Sequence, residues 1–124
     1  MIQPHSYDLL ARLFTYPDRQ YKNLLNECLN SELSEVLSGF IRTTEGLSVE
    51  EFEELYTRTF DVNPIASLEI GWHLYGETYE RGAFLVTMRN LLRQYQIVES
   101  TELPDHLTHV LMLLGRMETN NARE

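Results

Sequence analysis

Apolar residues recur at spacings of three, four, seven and eight along almost the whole chain, and this is the helical period. The first segment opens at Ser6 as an N-cap, gathers Leu9, Leu10, Leu13 and Phe14 on one stripe, and stops before Pro17. A second runs from Asp18 with Tyr21, Leu24, Leu25, Cys28 and Leu29 aligned. A third starts near Ser31, aligns Leu33, Val36, Leu37, Phe40 and Ile41, and ends toward Gly46. Together these three predict a compact N-terminal helical unit. Ser48-Val49-Glu50-Glu51 has the spacing of a capping box, and the helix it opens presents Phe52, Leu55, Tyr56 and Phe60. Asp61-Val62-Asn63-Pro64 breaks that helix. Ile65 to Tyr75 is apolar on too many sides for a surface helix and reads as buried. Gly76 and Gly82 bracket a polar connection to a stripe of Phe84, Met88, Leu91, Leu92 and Tyr95. A last helix follows Leu103-Pro104-Asp105 and aligns Leu107, Val110, Leu111, Leu114 and Met117, leaving 118–124 as a frayed tail. The prediction is an all-α compact bundle in one domain, 1–124.

Composition narrows what such a bundle does. Ten Lys and Arg against nineteen Asp and Glu give a net charge of −9 over 124 residues. That balance repels a phosphate backbone, and Lys22 with nine scattered arginines forms no basic patch, so nucleic acid is excluded as a partner. It suits a basic partner instead. Cys28 is the only cysteine and has no internal disulfide partner. No stretch reaches the roughly 18 apolar residues of a membrane span, and the first residues lack a cationic run leading into an apolar one. The expectation is a soluble, cytoplasmic protein with no membrane insertion.

Chemistry is sparse. There is no glycine-rich phosphate loop and no serine in a nucleophile-elbow setting. Cys28 lies on an apolar stripe, which favours a core role over a reactive one. Glu69, His73 and Glu77 are spaced by four, and Asp105, His106 and His109 form a second cluster, so a helical metal-binding enzyme is one alternative. The plainer reading has these groups capping helix ends, with His73 or His106 hydrogen-bonded inside the fold. Glu50, Glu51, Glu53 and Glu54 stand at a helix N-terminus, where the macrodipole alone accounts for them; a cation-attracting surface is the functional alternative.

Three stretches have a family resemblance. Glu54-Leu55-Tyr56-Thr57-Arg58-Thr59-Phe60-Asp61 resembles an aromatic-x-x-Leu-Phe element, with Thr59 in place of leucine. Ala66-Ser67-Leu68, then His73-Leu74-Tyr75-Gly76-Glu77-Thr78-Tyr79-Glu80-Arg81-Gly82, resembles a HxxGES-R-DRG block in which Thr78, Tyr79 and Glu80 replace serine, arginine and aspartate. Glu102-Leu103-Pro104-Asp105-His106-Leu107 matches an ELPDHL stretch without departure. In this order they resemble the assembly chaperones of molybdenum-containing oxidoreductases. The nitrate reductase delta-subunit, or NarJ-type, branch is nearest, and the trimethylamine oxide and dimethyl sulfoxide reductase chaperones are more distant. The N-terminal run ending at Tyr16-Pro17 is similar to the family's opening as well. Members usually continue for several helices past Met117, so the expected bundle lacks the family's C-terminal helices.

The resemblance implies a chaperone and not an enzyme, with no cofactor or metal of its own. Its partner would be the apo catalytic subunit of a molybdoenzyme, bound through an N-terminal leader and held for molybdenum cofactor insertion; a structural subunit of the oxidoreductase is the other alternative. The implied client-binding residues are Tyr56, Phe60, Trp72, Tyr75, Glu77, Arg81, Glu102, Pro104, Asp105 and His106, with Tyr56 and Phe60 as an apolar floor. Asp105 and His106 are expected to face outward or toward the Gly76 to Gly82 connection, with Arg81 paired to Asp105 or Glu102. On that placement, alanine at Asp105 or His106 lowers client binding while the fold survives. Uncovered stripes at Leu111, Leu114 and Met117 or at Leu91 and Tyr95 further predict a homodimer, with helix exchange as the low-cost route.

Overall fold

The computed structural model describes residues 3–63 and 66–123, with side chains described as far as Met117. Seven α-helices follow one another: α1 Pro4–Leu13, α2 Tyr21–Leu29, α3 Ser34–Thr43, α4 Val49–Tyr56, α5 Ile70–Tyr75, α6 Tyr79–Gln94 and α7 Leu107–Arg123. A π-helical turn, Thr57–Asp61, continues α4 and is closed by the Val62 N–H on the Thr57 carbonyl at 3.2 Å. Among the described residues there is no strand beyond an isolated antiparallel bridge between Glu69 and His106. The all-α expectation holds.

Most boundaries follow their local signals. The capping box forms: Ser48 Oγ accepts from the Glu51 N–H and the Glu51 carboxylate accepts from the Ser48 N–H, each at 3.2 Å. At α1 the start differs from the expected Ser6 cap. Pro4, whose ring sets φ and whose missing N–H costs nothing in the first turn, starts the helix ahead of Ser6, which is buried inside it. Gly82 belongs to α6, so the connection after α5 is shorter than expected; Gly76, at φ +63°, ends α5 in a region that glycine alone enters freely. Pro104 lies just ahead of α7. The α7 backbone is helical through 123, beyond the Met117 at which the apolar stripe ends; Glu124, like Met1, Ile2, Pro64 and Ile65, lies outside the described residues.

Two apolar clusters hold the chain. Leu9, Leu13, Tyr21, Leu24, Leu25, Cys28, Leu33 and Phe52 form the N-terminal core. Burial pushes the Cys28 thiol above its ordinary range, consistent with an inert core residue. Met88, Leu92, Ile97 and Leu113 form the second core, with Phe84, Val110 and Met117 packed on it. The most extensive helix pairing joins them, α1 against α7. Gly115 allows that approach, since a Cβ there would meet Tyr7 Cβ at 3.0 Å and the Pro4 carbonyl at 3.3 Å. Because α7 packs on both α1 and α6, its buried face is rotated from the predicted stripe: Leu113 is buried, and Leu114 is 43% exposed.

Ile65 to Tyr75 is not buried as a whole. Leu68 and Gly71 are, but Trp72 is half-buried, and His73, Leu74 and Tyr75 are exposed. A six-residue helix against α6 shows one face to solvent whatever its hydropathy.

Candidate functional site

The Glu69–His106 bridge draws two of the three resembling stretches together. The Ile70 N–H donates to the Asp105 carbonyl at 3.0 Å, and the Leu107 N–H donates to the Leu68 carbonyl at 2.7 Å. Behind the bridge, Asp105 is 0% exposed, and its Oδ2 accepts from the Gly71 N–H at 2.9 Å. Arg81 Nε stands 3.4 Å from the same oxygen, and Arg81 Nη2 donates to Glu69 Oε2 at 2.6 Å. Of the two partners expected for Arg81, Asp105 or Glu102, the structure has Asp105, and it adds Glu69, which the sequence did not suggest.

Of the two orientations expected for Asp105 and His106, the one toward the Gly76 to Gly82 connection holds for Asp105, which meets Arg81 there, and the outward one holds for neither, since both are buried. His106 is 4% exposed; its Nδ1 accepts from the Thr108 N–H at 3.2 Å and lies 2.6 Å from Thr108 Oγ1. The proton of the neutral ring then sits on Nε2, 4.0 Å from Glu102 Oε2. Burial pulls the His106 pKa below its ordinary 6.5, with the Glu102 carboxylate working the other way. The unfolded chain thus takes up this proton at higher pH than the folded one, so the stability contribution is intact above about pH 6.5 and is lost on acidification below it. Urea midpoints measured from pH 7 to pH 5.5 are expected to fall, and His106→Gln is expected to flatten that fall.

In front of the bridge lies an acidic recess of about 280 Å³ lined by Tyr56, Phe60, Asp61, Glu69, Trp72, Glu102 and His106, among others. Tyr56 and Phe60 also line a larger, almost wholly apolar groove of about 480 Å³, which continues along Phe14, Pro17, Leu37, Phe40, Phe52 and Leu55. The shared rings are fixed by their neighbours. Tyr56 donates through its hydroxyl to the Phe14 carbonyl at 3.1 Å, and its ring stands edge-on to Phe60 at 5.2 Å and to Tyr16 at 5.4 Å. Phe14 meets Phe60 at 6.0 Å.

Of the residues the sequence nominated, Tyr56, Phe60, Trp72, Glu102 and His106 converge on the recess, while Arg81, Asp105 and the buried Pro104 stand behind it or in the turn that frames it. The other two stand apart from it: Tyr75 packs on Phe84 at 5.6 Å, and Glu77 is exposed beyond α5. Sequence reasoning missed Asp61 as a wall and read Phe14, Leu37 and Phe40 as ordinary core, because a groove-lining stripe and a core-facing stripe have the same period. Glu69, which the sequence offers as a metal ligand or a helix-end group, is instead the recess carboxylate held by Arg81.

The metal alternative does not assemble. His109 donates from Nδ1 to the Leu103 carbonyl at 2.8 Å, and its Nε2 accepts from the Ser100 N–H at 3.0 Å. His73 Nε2 bonds the Ser67 carbonyl at 2.7 Å. Among the described residues no three His, Cys, Asp or Glu side chains come together as a metal site, and no helix is long and apolar enough to cross a membrane.

The fold and this face define an all-helical protein with an apolar groove opening into a carboxylate-lined recess. Residues 26–124 match the family model described as nitrate reductase delta subunit, and the chain belongs to that family. It is similar to the probable nitrate reductase molybdenum cofactor assembly chaperone NarJ of Bacillus subtilis (strain 168), at 29% identity over 126 residues, covering 95% of this chain and 68% of that protein. It is also similar to the nitrate reductase molybdenum cofactor assembly chaperone NarJ of Escherichia coli (strain K12), at 30% identity over 129 residues and 94% of this chain. The chain spans about half, 53%, of that second relative.

Proposed function

We propose that this protein is an assembly chaperone and not a catalyst, binding the apo catalytic subunit of a nitrate reductase-like molybdoenzyme through its N-terminal segment while the molybdenum cofactor is inserted. The observation that carries this reading is the junction of the apolar groove and the acidic recess at Tyr56 and Phe60. A leader-like segment is basic at one end and apolar along one helical face. The groove supplies burial at roughly 25 cal/mol per Å² before ordering costs, and the recess supplies the opposite charge. Such a client is met before it is assembled or exported, which makes the cytoplasm the place of action.

Self-association belongs to the same proposal. Its face is not the one expected, since Leu91, Tyr95 and Met117 pack on the second core; instead Tyr79 is 98% exposed and Leu74 and Val86 are 62%, so α5 and α6 carry apolar side chains that a second copy would cover.

Calorimetry with a synthetic peptide of the client's first residues tests the client reading. Micromolar or tighter binding is expected, about −8 kcal/mol, with Phe60→Asp at least tenfold weaker and unchanged in circular dichroism. Absence of heat, with no change in Trp72 fluorescence, would count against it.

A further inference from the structure

The recess contains a carboxylate that serves two sides. Glu69 lines it and, from behind, is held by Arg81 Nη2 at 2.6 Å. The same guanidinium reaches Asp105 Oδ2 through Nε at 3.4 Å, a long contact. Asp105 Oδ1 is buried and has no hydrogen-bond partner among the described residues. A buried carboxylate oxygen without a donor costs on the order of 1–3 kcal/mol or more, and such groups call for an explanation. A guanidinium is a fork that fits both oxygens of one carboxylate. Here the fork is split between two carboxylates, and the buried one is left short. The recess wall adds Asp61 and Glu102, with the rings of Tyr56, Phe60 and Trp72, and among the described residues its lining contains no lysine or arginine.

We propose that the recess is a subsite for a single guanidinium or alkylammonium side chain of the bound segment, and that Glu69 changes partner on binding. The incoming cation takes Glu69, flanked by Asp61, Glu102 and the aromatic faces, which attract cations. Arg81, released from Glu69, closes both donors onto Asp105 and gives Oδ1 the partner it lacks. The four carboxylates gain a second cation, and no charge is left buried alone. Arg81 is thus a positioning residue: it presets Glu69 in the empty recess and locks Asp105 in the filled one. The inference rests on the client-binding reading for the origin of the cation, but not for its chemistry.

The probes are N-acetyl-arginine amide and its uncharged isostere N-acetyl-citrulline amide, titrated into the whole chain at low ionic strength. Trp72, the one tryptophan, reports from the recess wall. The arginine compound is expected to give a saturable fluorescence change, and the citrulline compound to bind at least tenfold more weakly. Glu69→Gln, at a half-buried position, is expected to weaken the arginine compound at least fivefold. On saturation the Arg81 Nε–H signal in nitrogen-15 spectra should shift, and its exchange with water should slow. An equal response to the two compounds, or full binding by Glu69→Gln, overturns the subsite; binding with an unmoved Arg81 Nε–H overturns the exchange of partners. If the client peptide binds while neither compound does, the chaperone reading stands and the subsite falls. If the arginine compound binds while the client peptide does not, the subsite stands alone.

Discussion

Gly71→Ala is expected to lower the unfolding free energy by about 2 kcal/mol or more and to disorganise the recess. A Cβ at this position would lie 2.5 Å from Asp105 Oδ2, 3.0 Å from Phe84 Cδ2 and 3.3 Å from Arg81 Cγ. The first contact leaves no room, and the atoms that must yield are a buried carboxylate and a packed ring. Moving Asp105 lengthens its bond from the Gly71 N–H, so overpacking of roughly 1–3 kcal/mol combines with an under-bonded buried charge. Alanine's better helix propensity returns about 1 kcal/mol. The steric and polar terms exceed that gain, so the net sign is destabilising. Urea denaturation followed by circular dichroism measures it; a midpoint equal to wild type would show that α5 shifts freely against the loop before α7.

Asp105→Ala is expected to cost still more, about 3 kcal/mol or above, because it leaves a buried Gly71 N–H without an acceptor and a half-buried Arg81 with Glu69 alone. Of a total stability on the order of 5–15 kcal/mol, this is a large share. Asp105→Asn keeps an acceptor for Gly71 and is expected to cost roughly half as much. Thermal melts of the two variants side by side test that order. The result bears on interpretation, since a client-binding defect in Asp105→Ala would come with a weakened fold. Glu102, exposed at the recess rim, is the better position for separating binding from stability.

The helices were legible because their signals are local. A capping box, a proline in a first turn and a 3.6-residue stripe each act within a few residues, and Ser48, Leu24 and Leu92 are where those signals put them. What stayed hidden depends on contacts across the chain. Nothing in the ELPDHL stretch states that its aspartate points inward; that follows from the pairing of Leu68 to Ile70 with Asp105 to Leu107. Arg81 is legible in the sequence as a counter-ion because few cations lie nearby, but Asp105 and Glu102 are indistinguishable there as its partner, and Glu69 gives no sign of being a further one. The apolar groove escaped notice for a related reason. Phe14 and Phe40 have the periodicity of core residues, and only the packing of α1, α3 and α4 leaves a channel between them.

The π-helical turn after α4 makes the recess depend on chain length as well as on residue identity. Five residues, Thr57–Asp61, carry Phe60 and Asp61 around a widened turn to the mouth where groove and recess meet. Removing one of them would restore α-helical winding and swing every later side chain by about 100°, taking Asp61 off the wall without altering any amino acid that remains. The residue count of this turn therefore decides whether a carboxylate stands on the recess wall, independently of which residues flank it.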